Sequence, residues 1–147
     1  MRVKRIVFIN RAPFKNLDLD FTNKRVISFT GINGAGKTTI LSYIVDAFYE
    51  IAKKAFYNEF SGLKKDKYYR IMSSLYNVNQ KESSMAYILF DYNGKDVHYV
   101  DITGITSEKI FNELMLKIWV GMEESNWPIK YNDISSELQN GSKIQNI

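Results

Sequence analysis

The residues best suited to chemistry lie in one short run, "TGINGAGKTTIL", from Thr30 to Leu41. Within it, Gly31-Ile32-Asn33-Gly34-Ala35-Gly36-Lys37-Thr38 fits G-x-x-x-x-G-K-[ST], the P-loop or Walker A pattern. A loop that wraps a phosphate must aim several N–H groups inward, through backbone angles that glycine reaches without a Cβ clash. The helix that follows adds its unpaired N-terminal N–H groups and the positive end of its dipole. Lys37 brings a full charge to the outer phosphates. The Thr38 hydroxyl is placed to ligate Mg²⁺, and Thr39 to bond an inner phosphate. The ligands expected for Gly31 through Thr39 are therefore ATP and Mg²⁺. A glycine-rich strand-to-helix turn with no ligand is the alternative for the same residues.

A P-loop enzyme also needs an acid after an apolar strand, to hold Mg²⁺ through water. "YILFD", Tyr87 to Asp91, offers one. Tyr-Asn-Gly follows at once, so Asp91 reads equally as the residue before a hairpin turn. Downstream there is no apolar run ending in Asp-Glu and no "SGG"-like segment. No residue is assigned a catalytic role on this basis. With no cysteine, thiolate metal sites, disulfides and cysteine nucleophiles are excluded. A single histidine, His98, excludes a histidine-rich metal cluster.

The elements that must position the loop are legible from periodicity. "VKRIVFI" (Val3 to Ile9) is β-branched and alternating, hence a strand. Pro13 punctuates a turn. "LDLDF" puts Leu17, Leu19 and Phe21 on one face and Asp18 and Asp20 on the other, a half-buried strand. "RVISFT" (Arg25 to Thr30) reads as a third, more central strand. After the glycines, Ile40, Leu41, Ile44, Val45, Phe48, Ile51, Ala52, Ala55 and Phe56 recur at helical spacing, with Asp46, Glu50, Lys53 and Lys54 opposite. One long helix is expected there. Residues 61–84 form a polar, basic connector. Residues 85–102 flank Asn93-Gly94 as a hairpin. Ser107 and Glu108 open a second helix over 106–120, and residues 121–147 read as a polar tail.

At this point the first third of the chain resembles a family. "IVFINRAPFKNLDLDFTNKRVISFTGINGAGKTTILSYIVDAFYEI" is similar to the N-terminal part of ABC-type, SMC-like ATPase heads of the AAA family. The nearest group is that of RecF-type mediators and OLD-type nucleases. Asn33-Gly34 matches the Asn-Gly of that group. The hairpin fits the antiparallel β-subdomain of its heads. The resemblance covers residues 1–60 well and 85–102 loosely. It implies an α/β P-loop NTPase fold, specifically the N-terminal lobe of an ABC-type head: a mixed sheet, an antiparallel β-subdomain and a long helix after the P-loop. It implies ATP binding, with hydrolysis completed by a second lobe or a homodimer partner that brings the signature and Walker B segments. The group's usual "NFR-x-F" is "NRAPF" here. Ala12 stands where a nucleotide-contacting arginine is usual, and Arg11 is one place early. A one-residue shift on a strand turns a side chain to the other face. Gln139 is the residue that would align with the lobe-joining glutamine, or else it is a solvated tail residue.

Composition bounds the remaining choices. At 147 residues and 45% hydrophobic, the chain suits one domain or one lobe. The net charge of +4 permits a polyanionic partner without demanding one. In "LKKDKYYR", Lys64, Lys65, Lys67 and Arg70 suit DNA phosphates and the tyrosines suit stacking; the other reading is a solvated loop. No signal peptide and no bilayer-spanning run is evident, so a cytoplasmic protein is expected, in DNA repair, chromosome maintenance or phage defence. Two further readings stand beside the ATPase lobe. One is a complete small P-loop phosphotransferase using Asp91, against which Arg70 is the only arginine after the P-loop. The other is a non-enzymatic nucleotide-binding module.

Overall fold

The computed structural model describes residues 1–34, 36–55 and 76–133, with residues 50–55 by backbone alone. Four strands form one antiparallel sheet: β1 (Arg2–Arg11), β2 (Phe14–Asp20), β3 (Ser84–Tyr92) and β4 (Lys95–Thr103). Their spatial order is β2-β1-β3-β4. Helices α1 (Lys37–Ala55) and α2 (Glu108–Ile118) pack on opposite faces.

Strand alternation explains both packed faces. Side chains two apart share a face. On β1, Ile6 and Phe8 join Ala86, Ile88 and Phe90 of β3 and Tyr99 of β4 under Ile40, Tyr43 and Ala47 of α1. The intervening Val7 and Ile9 join Met85, Tyr87, Val100 and Ile102 under Phe111, Leu114, Met115 and Ile118 of α2. Ile6 through Arg11 are all buried, which makes β1 a two-faced central strand. The register shifts between Val3 and Arg5, and that bulge puts Val3 on the α1 side, out of phase with Val7 and Ile9.

Local chemistry sets the connections. The hairpin between β3 and β4 turns on Asn93 (φ 52°) and Gly94 (φ 78°), the two consecutive positive φ values of a two-residue turn. The Gly94 N–H donates to Asp91 Oδ1 at 2.9 Å. Ser107 caps α2, its hydroxyl accepting from the Ile110 N–H at 3.4 Å. β2 alternates as its sequence does: Leu17 and Leu19 are half-buried, and Asp18 reaches out to a two-pronged pair with Arg5, at 3.0 and 2.7 Å.

Three expectations are corrected. Arg25–Thr30 is not a strand. Val26 is 88% exposed and the segment has no ladder partner among the described residues, although Phe29 packs against the α1-side core. Residues of high β-propensity form a strand only when another strand hydrogen-bonds to them. The polar tail is also wrong as far as residue 133. Trp127 and Ile129 are 4% and 1% exposed, with Trp127 against Trp119 at 5.9 Å between ring centroids and Tyr131 against Phe111 at 5.7 Å. A 3-10 turn at Glu124–Asn126 and Pro128 give this segment no period, so its anchors escape a periodicity search. Finally, Asp46 is buried on α1 rather than solvated.

The sheet of the described residues is wholly antiparallel, not mixed. The stretch expected to enter the core as the P-loop strand is the one left unpaired.

Candidate functional site

Gly31 through Gly34 precede α1, and Gly36, just before its first residue, packs on Pro13 and Phe14 at the turn between β1 and β2. The glycines are needed there for two different reasons. Gly34 sits at φ +85° with open space around it, so only its backbone angle demands glycine. Gly36, at φ +95°, is also in close contact: a Cβ there would lie 2.5 Å from the Phe14 ring and 3.0 Å from Pro13 Cγ. The β1–β2 turn thus acts as the stop against which the loop is folded.

Helix α1 begins at Lys37, and its first turn holds no acidic residue. The Ile40 N–H donates to the Gly36 carbonyl at 3.1 Å, so the N–H groups before it lie at the open end of the helix, where the dipole is positive. Lys37 Nζ donates to the carbonyls of Gly31 and Ile32, the latter at 2.8 Å, and so lies across its own loop. Thr38 is exposed and Thr39 half-buried. The Thr38 carbonyl accepts from the Ser42 hydroxyl at 2.9 Å.

These groups border a cavity of about 440 Å³, in the range that seats a small ligand. Asn33, Gly34, Gly36, Lys37, Thr38 and Thr39 line it from the loop and the head of α1. Ala12, Pro13, Tyr43 and Tyr76 complete the lining. Six of the sequence-predicted loop residues thus border one concavity, Gly31 and Ile32 do not line it, and Ala35 lies outside the described residues. The residues of its lining suit an anion: Lys37, Thr38 and Thr39 border it at a helix N-terminus with no acid in the first turn.

Other candidates fall elsewhere. Asp91 is the penultimate residue of β3, opposite Arg2, paired with its guanidinium at 3.4 Å and bonded to Gly94. The P-loop abuts the turn after Arg11, at the other end of the ten-residue β1. At about 3.3 Å per residue the separation is roughly 30 Å. Asp91 is thus a hairpin residue and cannot hold a metal at the P-loop. Arg11 is fully buried and paired with Asp101 at 3.5 Å, whereas Ala12 borders the cavity, as the one-place shift predicts. His98 lies on β4, its Nδ1 2.9 Å from the Tyr87 hydroxyl, and burial pulls its pKa below the usual histidine range. It is part of the α2-side packing, remote from the loop. Lys64, Lys65, Lys67, Arg70 and Gln139 lie outside the described residues. Among the described residues no group of three or more acidic or histidine side chains is arranged to hold a metal.

Sequence reasoning missed Tyr43 and Tyr76. Tyr43 carries a signal in retrospect, being two turns into α1 on the sheet-facing stripe. Tyr76 carries none, since it follows a polar stretch with no period.

None of the curated proteins compared matches the chain. No helix among the described residues is long and apolar enough to cross a membrane. A model of the AAA domain matches residues 5–147, nearly the full length, and includes the loop, both helices and all of the sheet but the first residues of β1. That domain has the P-loop NTPase fold and an ATP-binding, ATPase-type function, in keeping with a glycine loop closed against β1–β2 at the head of a helix. On that match the chain belongs to the AAA domain family.

Proposed function

We propose that the chain is the ATP-binding lobe of an SMC-like, ABC-type ATPase. Gly31 through Thr39 cradle the triphosphate: Lys37 leaves the Gly31 and Ile32 carbonyls for the outer phosphates, Thr39 bonds an inner one, and Thr38 ligates Mg²⁺. The ion, when bound, offsets phosphate charge. The observation that carries this reading is the loop at the head of α1, with Gly36 pressed on Phe14 and no acid in the first turn to oppose an anion.

Hydrolysis is proposed to need a second lobe or a second head. Two observations support this. Asp91 is displaced from the loop by the length of β1, and no other acid lines the cavity among the described residues. Leu41, Val45 and Phe48 are exposed along one stripe of α1, and Val26 and Ile27 are exposed in the unpaired segment before the loop. These positions suit a partner surface, and contiguous exposed apolar area is unusual without one. The setting consistent with this reading is DNA repair, chromosome maintenance or phage defence in the cytoplasm.

The test is an ATP titration with Mg²⁺ on wild type and Lys37→Ala. Losing a charge-assisted bond worth about 1.5–3 kcal/mol weakens binding by about tenfold or more. Equal affinities would sink the assignment.

A further inference from the structure

The cavity lined by Gly34, Gly36, Lys37 and Thr38 is also lined by Ala12, Pro13 and Tyr76. A nucleotide is a charged chain attached to a flat, weakly polar ring system. With its phosphates at the head of α1, its base must leave the cradle, and the lining of the same cavity offers a flat aromatic side chain, Tyr76, and two residues with no polar side-chain atom.

Tyr76 is not a core residue. Its side chain is 41% exposed, unlike Tyr43, which is fully buried with its ring 4.5 Å from that of Phe8. Yet its backbone is pinned. The Tyr76 carbonyl accepts from the Ala12 N–H at 2.6 Å, Asn77 bridges to Arg11, and the Val78 N–H donates to the Asn10 carbonyl at 3.3 Å. Asn10, at φ 54°, secures the next turn: its Nδ2 donates to the Asn79, Glu82 and Ser83 carbonyls, and its Oδ1 accepts from the Asn79 N–H at 2.7 Å. The segment is thus stitched to the end of β1, and β1–β2 is the turn against which Gly36 packs. The phosphate loop and Tyr76 are registered on a single support. An exposed ring on a fixed backbone, beside an anion cradle, suits stacking: it places a π face at little conformational cost.

We infer that Tyr76 is the base platform of this site, on which the base of a bound nucleoside triphosphate stacks, with Ala12 and Pro13 as the flanking wall. The inference rests on the P-loop reading above. Stacking on an aromatic ring needs no particular hydrogen-bonding edge. Tyr76 therefore contributes affinity for nucleotides over phosphate alone, and the ring rather than the hydroxyl does so.

The experiment is a calorimetric titration of the full chain with Mg²⁺ present, using two probes: ATP and inorganic tripolyphosphate, which has the phosphates without the base. Tyr76→Ala is expected to weaken ATP binding roughly tenfold, within the range for losing one stacked base, and to leave tripolyphosphate affinity unchanged. Tyr76→Phe, which keeps the ring, is expected to bind ATP within about twofold of wild type. Because the Tyr76 side chain is exposed and its pinning bonds are backbone bonds, the variants should keep the wild-type melting temperature. ATP affinity unchanged in Tyr76→Ala would overturn the inference, as would an equal fall for both probes, which marks a distorted loop. Lys37→Ala serves as the separate control: if it lowers the affinity for both probes while Tyr76→Ala lowers neither, the P-loop reading stands and the base platform falls. If wild type binds neither probe, both fall together.

Discussion

Gly36 and Phe14 meet so closely that one added carbon does not fit, since a Cβ on Gly36 would stand 2.5 Å from Phe14 Cζ. The contact joins the loop to the β1–β2 turn, and it is tight on both sides because Phe14 also packs on Phe8, 6.0 Å between centroids. Gly34 shares the positive φ but has nothing within 4 Å. The two glycines therefore fail differently. Gly34→Ala meets only the left-handed penalty, about 1–2 kcal/mol. Gly36→Ala meets that penalty and a clash with the Phe14 ring, which already stacks on Phe8. ATP affinity should fall further in Gly36→Ala than in Gly34→Ala, and trimming the ring in Phe14→Leu/Gly36→Ala should recover part of the difference. Equal losses for the two single variants would mean that the contact with Phe14 is not what shapes the loop.

The Arg11–Asp101 pair gives a stability prediction with a functional corollary. Both side chains are buried, at 0% and 1% exposure. Removing one partner leaves the other charge in a medium that solvates it poorly, so Asp101→Leu should cost about 3 kcal/mol or more in urea unfolding. Replacing both, as Arg11→Met/Asp101→Leu, should cost much less. Arg11 does not line the cavity. The double variant should therefore bind ATP as wild type does, wherever it is folded. A specific loss of ATP affinity with full stability would instead make Arg11 a nucleotide ligand.

His98 should make folding pH-dependent in a narrow window. Burial lowers its pKa in the folded chain, and the nearby Lys4 adds to that while Asp96 opposes it. Burial raises the Tyr87 phenol well above its usual value, so it stays protonated and able to donate to a bare Nδ1. Below the ordinary histidine pKa of about 6.5 the unfolded chain binds a proton that the folded chain resists. Stability is thus complete above that pH and falls as pH drops through the folded value. His98 is the only histidine, so urea unfolding at pH 7.5 and 5.5 should differ in wild type and much less in His98→Gln. The same pH dependence in both would assign it to other groups. The lowered Asp20 pKa, caused first by the Thr22 hydroxyl, acts only at more acidic pH.

What the sequence revealed and what it hid divide along a physical line. The P-loop bend, the start of α1, the Asn93-Gly94 turn and the Ser107 cap are encoded by residues within a few positions of where they act. The unpaired Arg25–Thr30 segment was misread because strand formation depends on a neighbour, not on Val26, Ile27 and Phe29 themselves. Trp127 and Ile129 were misread because burial by an irregular segment has no period. The site divides likewise: its phosphate side is a contiguous motif, while Tyr43 and Tyr76 reach the cavity only through the packing of α1 and the stitching of Tyr76 to Ala12.

The last prediction concerns turnover. On the proposed function, the chain binds ATP but turns it over very slowly by itself. The loop supplies charge and positioning for the phosphates. No acid among the described residues of the cavity is placed to orient an attacking water, and Asp91 is roughly 30 Å away by strand length. Missing water orientation and charge stabilisation together cost orders of magnitude in rate. Phosphate release should thus be near background at low protein concentration. It should rise more than linearly with concentration if a second copy completes the site, or on addition of a separate second lobe. The exposed α1 stripe tests where the partner sits. Leu41→Glu and Val45→Glu change exposed positions, so the chain should keep its fold and its ATP affinity yet lose any such increase. Asp91→Asn should leave turnover unchanged. Robust, concentration-independent turnover that Asp91→Asn abolishes would refute the two-lobe reading and make the chain a self-sufficient enzyme.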